Sequence, residues 1–151
     1  MKFLNLIAEP RSDFDVRMLA IDIGGRRTGF ATGDSALAMA QPIGVIEHAN
    51  EQELMDAITR MTGEHEPDAL VVGLPLNMDD SEGPAAARMR ETADRIAQLT
   101  GLPVHLHDER LTSFEADSRM AQSGRTHAGK KRIRDAIAAA ALLEDYFSSE
   151  S

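Results

Sequence analysis

Met18-Leu19-Ala20-Ile21-Asp22-Ile23-Gly24-Gly25-Arg26-Arg27-Thr28-Gly29-Phe30-Ala31 is the stretch on which the reading of this chain turns. The apolar run 18–21 predicts a buried strand, and Asp22 stands where that strand is about to end. Gly24 and Gly25 supply a turn, and Phe30-Ala31 resumes as the hairpin partner. An acid at a strand tip beside glycines suits a metal ion or the phosphates of a nucleotide. Backbone N–H groups can come close to an anion there because no Cβ obstructs them. An ordinary hairpin turn that carries Asp and Gly is the rival reading of the same residues.

Working outward, the elements alternate. Residues 18–23, 28–32 and 38–46 read as three strands in hairpin order, the third containing Pro42. Asn50 with Glu53 makes a capping pair for a helix with Leu54, Ile58 and Met61 inward, stopped by Pro67. Ala69-Leu70-Val71-Val72-Gly73 reads as a strand buried on both faces. A loop over 74–82 leads to a helix starting at Gly83-Pro84, with Met89, Ala93 and Ile96 inward and Gly101 ending it. Residues 104–107 read as the next core strand. Thr112 and Glu115 form a capping box for a helix ending at Gly124, and the last helix is expected from about Ile133 to Phe147. Three hairpin-type strands followed by alternating strands and helices predict an α/β protein. Its sheet is mixed, with helices on both faces, which matches the ribonuclease H-like fold.

The length of 151 residues suits one domain with a full core. Residues 1–16 read as an N-terminal extension and 17–151 as the domain. Cysteine is absent, which excludes a disulfide framework, a thiolate zinc site and a cysteine nucleophile. The run Phe3-Leu4-Asn5-Leu6-Ile7 is too short for a signal-peptide core, and no stretch approaches transmembrane length. The expectation is a cytoplasmic protein with no membrane partner. Net charge is −9, from 16 basic and 25 acidic residues, which argues against non-specific coating of nucleic acid. Residues 125–134, Arg-Thr-His-Ala-Gly-Lys-Lys-Arg-Ile-Arg, nevertheless carry no acid. They read as a positive loop on a negative body, either a local device for anions or a solvated connector.

Four acids stand at strand ends or a helix start: Asp22, the pair Asp108 and Glu109, and Asp135, expected in the first turn of the last helix. Strand ends on one side of a sheet converge in space. Three carboxylates so close repel one another unless a cation joins them. Mg²⁺ or Mn²⁺ suits such oxygen donors, and two ions about 4 Å apart can activate water and stabilise a leaving oxygen. Asp135 has a plainer reading, at the positive end of a helix macrodipole. Along the strand, Val104, Leu106 and Asp108 share an apolar face, whereas His105, His107 and Glu109 share a polar one. Glu109 is therefore expected at the metal, with Asp108 the runner-up that orients the turn with Arg110.

From Met18 to Phe147 the chain closely resembles the YqgF/RuvX family, Holliday-junction-resolvase-like proteins also described as nucleases for the small-subunit ribosomal RNA precursor. The resemblance rests on Asp22-Ile23-Gly24 with Arg27 and Gly29, and on Val72-Gly73-Leu74-Pro75-Leu76-Asn77-Met78 with Ser81-Glu82-Gly83. It extends through Asp108-Glu109-Arg110-Leu111-Thr112 with Glu115-Ala116, and Asp135 before an alanine-rich helix. It implies the ribonuclease H-like fold, with Asp22, one acid of the 108–109 pair and Asp135 as the metal-binding catalytic acids. Related resolvases carry a further ligand near the last Asp; here Arg132 and Ala138 flank it, so that ligand is missing.

The expected activity is metal-dependent phosphodiester hydrolysis in structured nucleic acid, foremost maturation of the pre-16S rRNA 5′ end in ribosome biogenesis. Arg26, Arg27, Asn77, Arg110, Lys130, Lys131 and Arg132 are the expected nucleic-acid contacts. The substrate is pre-rRNA, as such or within a ribosomal subunit precursor, or branched DNA, and the protein acts as a monomer or homodimer. A Holliday-junction resolvase is the nearest alternative. A ribosome-assembly or nucleic-acid-binding factor without catalysis is a second. A third is an ATP-binding protein, since Asp22-Ile23-Gly24 also resembles the phosphate turn of sugar kinases and actin-like ATPases.

Overall fold

The computed structural model of the protein describes residues 15–110, 116, 118, 119, 121 and 127–150, the last group as backbone only for 127–132. The order is β1 (Arg17–Ile23), β2 (Arg27–Asp34), β3 (Met39–Glu47), α1 (Glu51–His65), β4 (Ala69–Leu74), α2 (Pro84–Thr100), β5 (Val104–Asp108) and α3 (His127–Glu150). The five strands form one sheet in the order β3-β2-β1-β4-β5. β1 runs antiparallel to β2, and β2 to β3, whereas β1, β4 and β5 are parallel. The expected mixed sheet is therefore present. Pro42 is tolerated because β3 is an edge strand, bulged where Phe30 faces Gly44 and Ala31 faces Pro42.

Two apolar layers cover the sheet. On one face Met18, Ala20, Ala31, Ala69 and Val71 pack against Ala139, Ala140, Leu142, Leu143 and Phe147 of α3. On the other, Leu19, Ile21, Phe30, Leu70 and Val72 pack against Leu54, Ala57, Ile58 and Met61 of α1 and Ile96 of α2. Alternation along β1 thus sends neighbouring residues into opposite layers, so the whole run is apolar.

The helix ends follow the sequence signals. Asn50 Oδ1 accepts from the Glu53 N–H at 2.9 Å, and the Glu53 carboxylate accepts from Ala49 N–H at 2.9 Å. Pro84 begins α2 and Gly101 ends it in the left-handed region, at φ 70°. Glu66 takes the same conformation (φ 46°) between α1 and Pro67.

The last helix departs from expectation. It begins at His127, so Lys130, Lys131 and Arg132 belong to its first turns rather than to a loop before it. Asp135 consequently lies in the third turn, away from the positive helix end, and the macrodipole reading of it is lost. The acid-free run 125–134 reads as a loop, but Lys and Arg are good helix formers. The capped helix expected from Thr112 lies mostly outside the described residues, where Ala116, Ser118, Arg119 and Ala121 are helical. The expected extension 1–16 lies outside them too, apart from Asp15 and Val16. Among the described residues, no helix is long and apolar enough to cross a membrane.

Candidate active site

Because β1, β4 and β5 are parallel, their C-terminal ends share one edge of the sheet. Asp22 is the penultimate residue of β1, and Glu109 directly follows β5. Glu109 N–H donates to the Leu74 carbonyl at 3.3 Å, which prolongs the pairing with β4. Its side chain lies over Gly73, where a Cβ would stand only 2.3 Å from Glu109 Oε2. Glu109 thereby reaches Asp22, and the two side chains share a hydrogen bond.

Burial pushes Asp22 up to about 6, reinforced by the Asp135 charge. It pushes Glu109 up to about 7, reinforced by the Asp22 charge and by the bond to Asp22. Two carboxyl groups can share a hydrogen bond only while one of them holds a proton, so the pair titrates as a coupled unit.

Asp135 approaches from α3. The helix backbone sits directly on β2 at Gly29, where a Cβ would stand 1.9 Å from the Asp135 carbonyl oxygen. Arg27 Nε lies 3.1 Å from Asp135 Oδ2. That oxygen is buried and has no aligned hydrogen-bond partner, so the contact is an ion pair by proximity rather than a directed bond. Arg134 adds positive potential at Asp22. Asp22 thus feels both other acids, and among the three only Asp22 and Glu109 share a bond. Among the described residues, no group of three or more histidine or acidic side chains is arranged to hold a metal as it stands.

Asp108 points elsewhere. Val104 and Leu106 join the α1–α2 layer, while His105 and His107 pack on Tyr146 of α3 with ring centroids 5.6 Å apart in each case. The Asp108 carboxylate takes Arg110 Nε at 3.0 Å and Nη2 at 2.7 Å, and the backbone N–H of Arg110 as well. Those bonds hold Asp108 below the usual carboxylate range. Arg110 also reaches the Asn77 carbonyl at 2.9 Å and Asp80 Oδ1 at 2.6 Å, and Asn77 Nδ2 donates to Ser81 Oγ. The Arg110 guanidinium and the Asn77 amide nitrogen are thus bonded within the molecule, while Asn77 remains exposed.

Arg26 is exposed beside a cavity of about 880 Å³ that Gly24, Gly25, Arg27, His48 and Asp135 help to line. The side chains of Lys130, Lys131 and Arg132 lie outside the described residues. Sequence reasoning missed the buried pair Thr28 Oγ1–His48 Nε2, 2.8 Å apart, and the space-giving role of Gly73. A lone glycine closing an otherwise β-branched and apolar strand was the available signal for the second. Ala138, three residues after Asp135, is buried in the core and offers no ligand.

Among solved structures, the chain is similar to the Thermus thermophilus RuvC in complex with a Holliday junction substrate. The TM-score is 0.57 at 14% identity, covering 89% of this chain and 95% of that one. The fold is thus the ribonuclease H-like fold of the resolvases. Among curated sequences, it is 40% identical over 131 residues to the "Putative pre-16S rRNA nuclease" of Anaeromyxobacter sp. (strain Fw109-5), covering 87% of this chain and 96% of the relative. It is 39% identical over 130 residues to the protein of the same name from Escherichia coli O7:K1, covering 86% and 94%. Fold and relatives define a nuclease, a hydrolase of phosphodiester bonds. The family described as "RuvX: Holliday junction resolvase" matches residues 16–149, and the chain belongs to it.

Proposed function

We propose that this protein is a metal-dependent nuclease that trims the precursor of 16S ribosomal RNA, with Asp22, Glu109 and Asp135 as its catalytic acids. The observation that carries the reading is the Asp22–Glu109 contact, two half-buried carboxyl groups bonded to each other with a third acid, Asp135, close enough to act on Asp22. Such an arrangement destabilises the ionised acids, which is the condition a divalent cation relieves. The donor set is all oxygen, and the buried Asp135 Oδ2, paired with Arg27 by proximity alone, has its hydrogen-bonding position open. Mg²⁺ or Mn²⁺ fits these residues. Asp22 and Glu109 would hold it, and Asp135 would join by turning from Arg27. When bound, the ion lowers the pKa of water and neutralises charge on the reacting phosphate.

The chain's own residues have separable tasks. Glu109 must give up its proton before it can serve as a carboxylate; burial and the Asp22 charge raise it in the metal-free protein, so metal and protons compete for it and metal binding should weaken as pH is lowered. Arg27 holds Asp135 in place, and Arg26 with the basic first turns of α3 supplies the phosphate contacts that orient substrate. Asp108 and Arg110 position Glu109 by fixing the chain on either side of it.

The relatives' name favours RNA; the family's description favours a four-way DNA junction. Cleavage of a pre-16S RNA fragment and of a DNA junction, each with Mg²⁺, Mn²⁺ or EDTA, decides. Metal-dependent cutting of the RNA with the junction intact is expected. Cutting of the junction alone would reverse the substrate assignment, and cutting in EDTA would refute the metal site.

A further inference from the structure

The geometry points to Met78 as an apolar wedge that enters between adjacent bases beside the scissile phosphate. This would select nucleic acid whose bases unstack easily at the cut, such as a branch or duplex end. The inference rests on the nuclease reading above.

Residues 75–83 form the loop that leaves the C-terminal end of β4, at the edge where Asp22 and Glu109 meet. The polar groups of the loop serve one another. Asn77 N–H donates to the Ser81 carbonyl at 2.9 Å, and Asp80 N–H to the Asn77 carbonyl at 3.0 Å. Ser81 donates through its N–H and its hydroxyl to Asp79 Oδ1. Arg110, the residue after Glu109, reaches the carbonyls of Asn77 and Met78, at 2.9 and 3.4 Å, and the Asp80 carboxylate. The backbone at Met78 is therefore fixed from both sides by the chain that positions the catalytic acid.

Its side chain is left outside. Met78 is 88% exposed, whereas the other strongly exposed apolar side chains, Leu37 and Met39, flank the β2–β3 turn at the far end of the sheet. An ordered loop that presents one long apolar side chain has already lost the entropy that binding would otherwise cost it.

Charge decides what the side chain meets. The loop carries Asp79, Asp80 and Glu82; Asp80 pairs with Arg110 and Glu82 with Arg90, while Asp79 takes only the serine. Residues 75–83 contain no basic residue, and the arginines beside them are engaged by Asp80 and Glu82, so the loop offers phosphates little attraction and its contact with substrate is to the bases. Stacked bases in a continuous duplex are accessible only at the cost of opening a step, and methionine is among the side chains that open one. The thioether is flexible and polarisable enough to follow the opened step.

The test places the fluorescent base 2-aminopurine at each position next to the branch. The probes are an RNA stem with single-stranded flanks and a four-way DNA junction, in metal-free buffer with the full-length protein. Wild type should raise fluorescence severalfold at one position and prefer branched to continuous duplex. Met78→Ala should abolish the rise and cut the preference by about tenfold, while Met78→Leu restores both. An unchanged urea midpoint would show that the exposed substitution leaves the fold intact. Equal unstacking by wild type and Met78→Ala, or no unstacking by a wild-type protein that binds and cleaves, overturns the inference alone. Absence of wild-type binding to either probe overturns the nuclease reading and the inference with it.

Discussion

Gly29→Ala tests how the third acid is placed. A Cβ at this position would stand 1.9 Å from the carbonyl oxygen of Asp135, 2.1 Å from its carbonyl carbon and 2.6 Å from the nitrogen of Ala136. Ordinary contact begins near 3.4 Å, so α3 or β2 must retreat by about 1.5 Å. The obstruction is backbone on both sides and cannot be relieved by a rotamer change. Overpacking of this kind costs about 1–3 kcal/mol, and a misplacement of about 1 Å in a catalytic constellation costs on the order of 10²-fold in rate.

Urea denaturation should therefore show a lower midpoint with an unchanged slope, and cleavage should fall far more than the loss of folded protein explains. Gly63→Ala is the control. It lies within α1 with nothing within 4 Å of its added Cβ, and it should gain about 0.5–1 kcal/mol with full activity. A Gly29→Ala protein with the wild-type midpoint and wild-type turnover would refute the seating of α3 on β2.

Asp22→Asn should abolish cleavage while flattening the pH dependence of stability. Asp22 and Glu109 titrate in the folded, metal-free protein at about 6 and about 7, above their ordinary 3.8 and 4.5, so stability is highest below the ordinary values and falls as pH rises through 6 and 7. Thermal scans in EDTA should put the variant a few degrees above wild type at pH 8, and a wild-type pH slope would count against the coupled pair. Glu109→Gln should lose metal-dependent turnover, whereas Asp108→Asn, by loosening Arg110, should lose about 1 kcal/mol and retain partial activity. The reverse pattern would exchange their roles. Gly73→Ala should displace the Glu109 side chain and lower turnover with little change in urea midpoint, because a flexible side chain is what yields; unaltered turnover would remove Gly73 from the site. Neutralising Lys130, Lys131 and Arg132 together should reduce the slope of log affinity against log salt by about 2–3, and an unchanged slope would leave them without phosphate contacts.

Hydrophobic periodicity, caps and turn residues are local properties, and they were legible residue by residue. The strands around Leu19, Val71 and Val104, the Asn50 cap and the Gly101 stop all stood in the sequence. So did the opposite facing of Asp108 and Glu109, because strand alternation is fixed by backbone geometry. The start of α3 was not legible, since the acid-free run 125–134 reads as a positive loop, whereas the helix whose alanine and leucine face docks on the sheet extends back to His127. Nor was the relation among the acids. That Glu109 leans across Gly73 onto Asp22, and that Asp135 faces Arg27 over Gly29, depends on which strands lie side by side and how closely a helix approaches them. Arg110 makes the same point: a cation beside a candidate metal-binding acid reads as a phosphate contact in sequence, and only the packed loop shows its charge already engaged by Asp108 and Asp80. A sequence determines which groups can ionise and which faces are apolar; desolvation and proximity, which set what those groups do, arise only when distant segments are packed together.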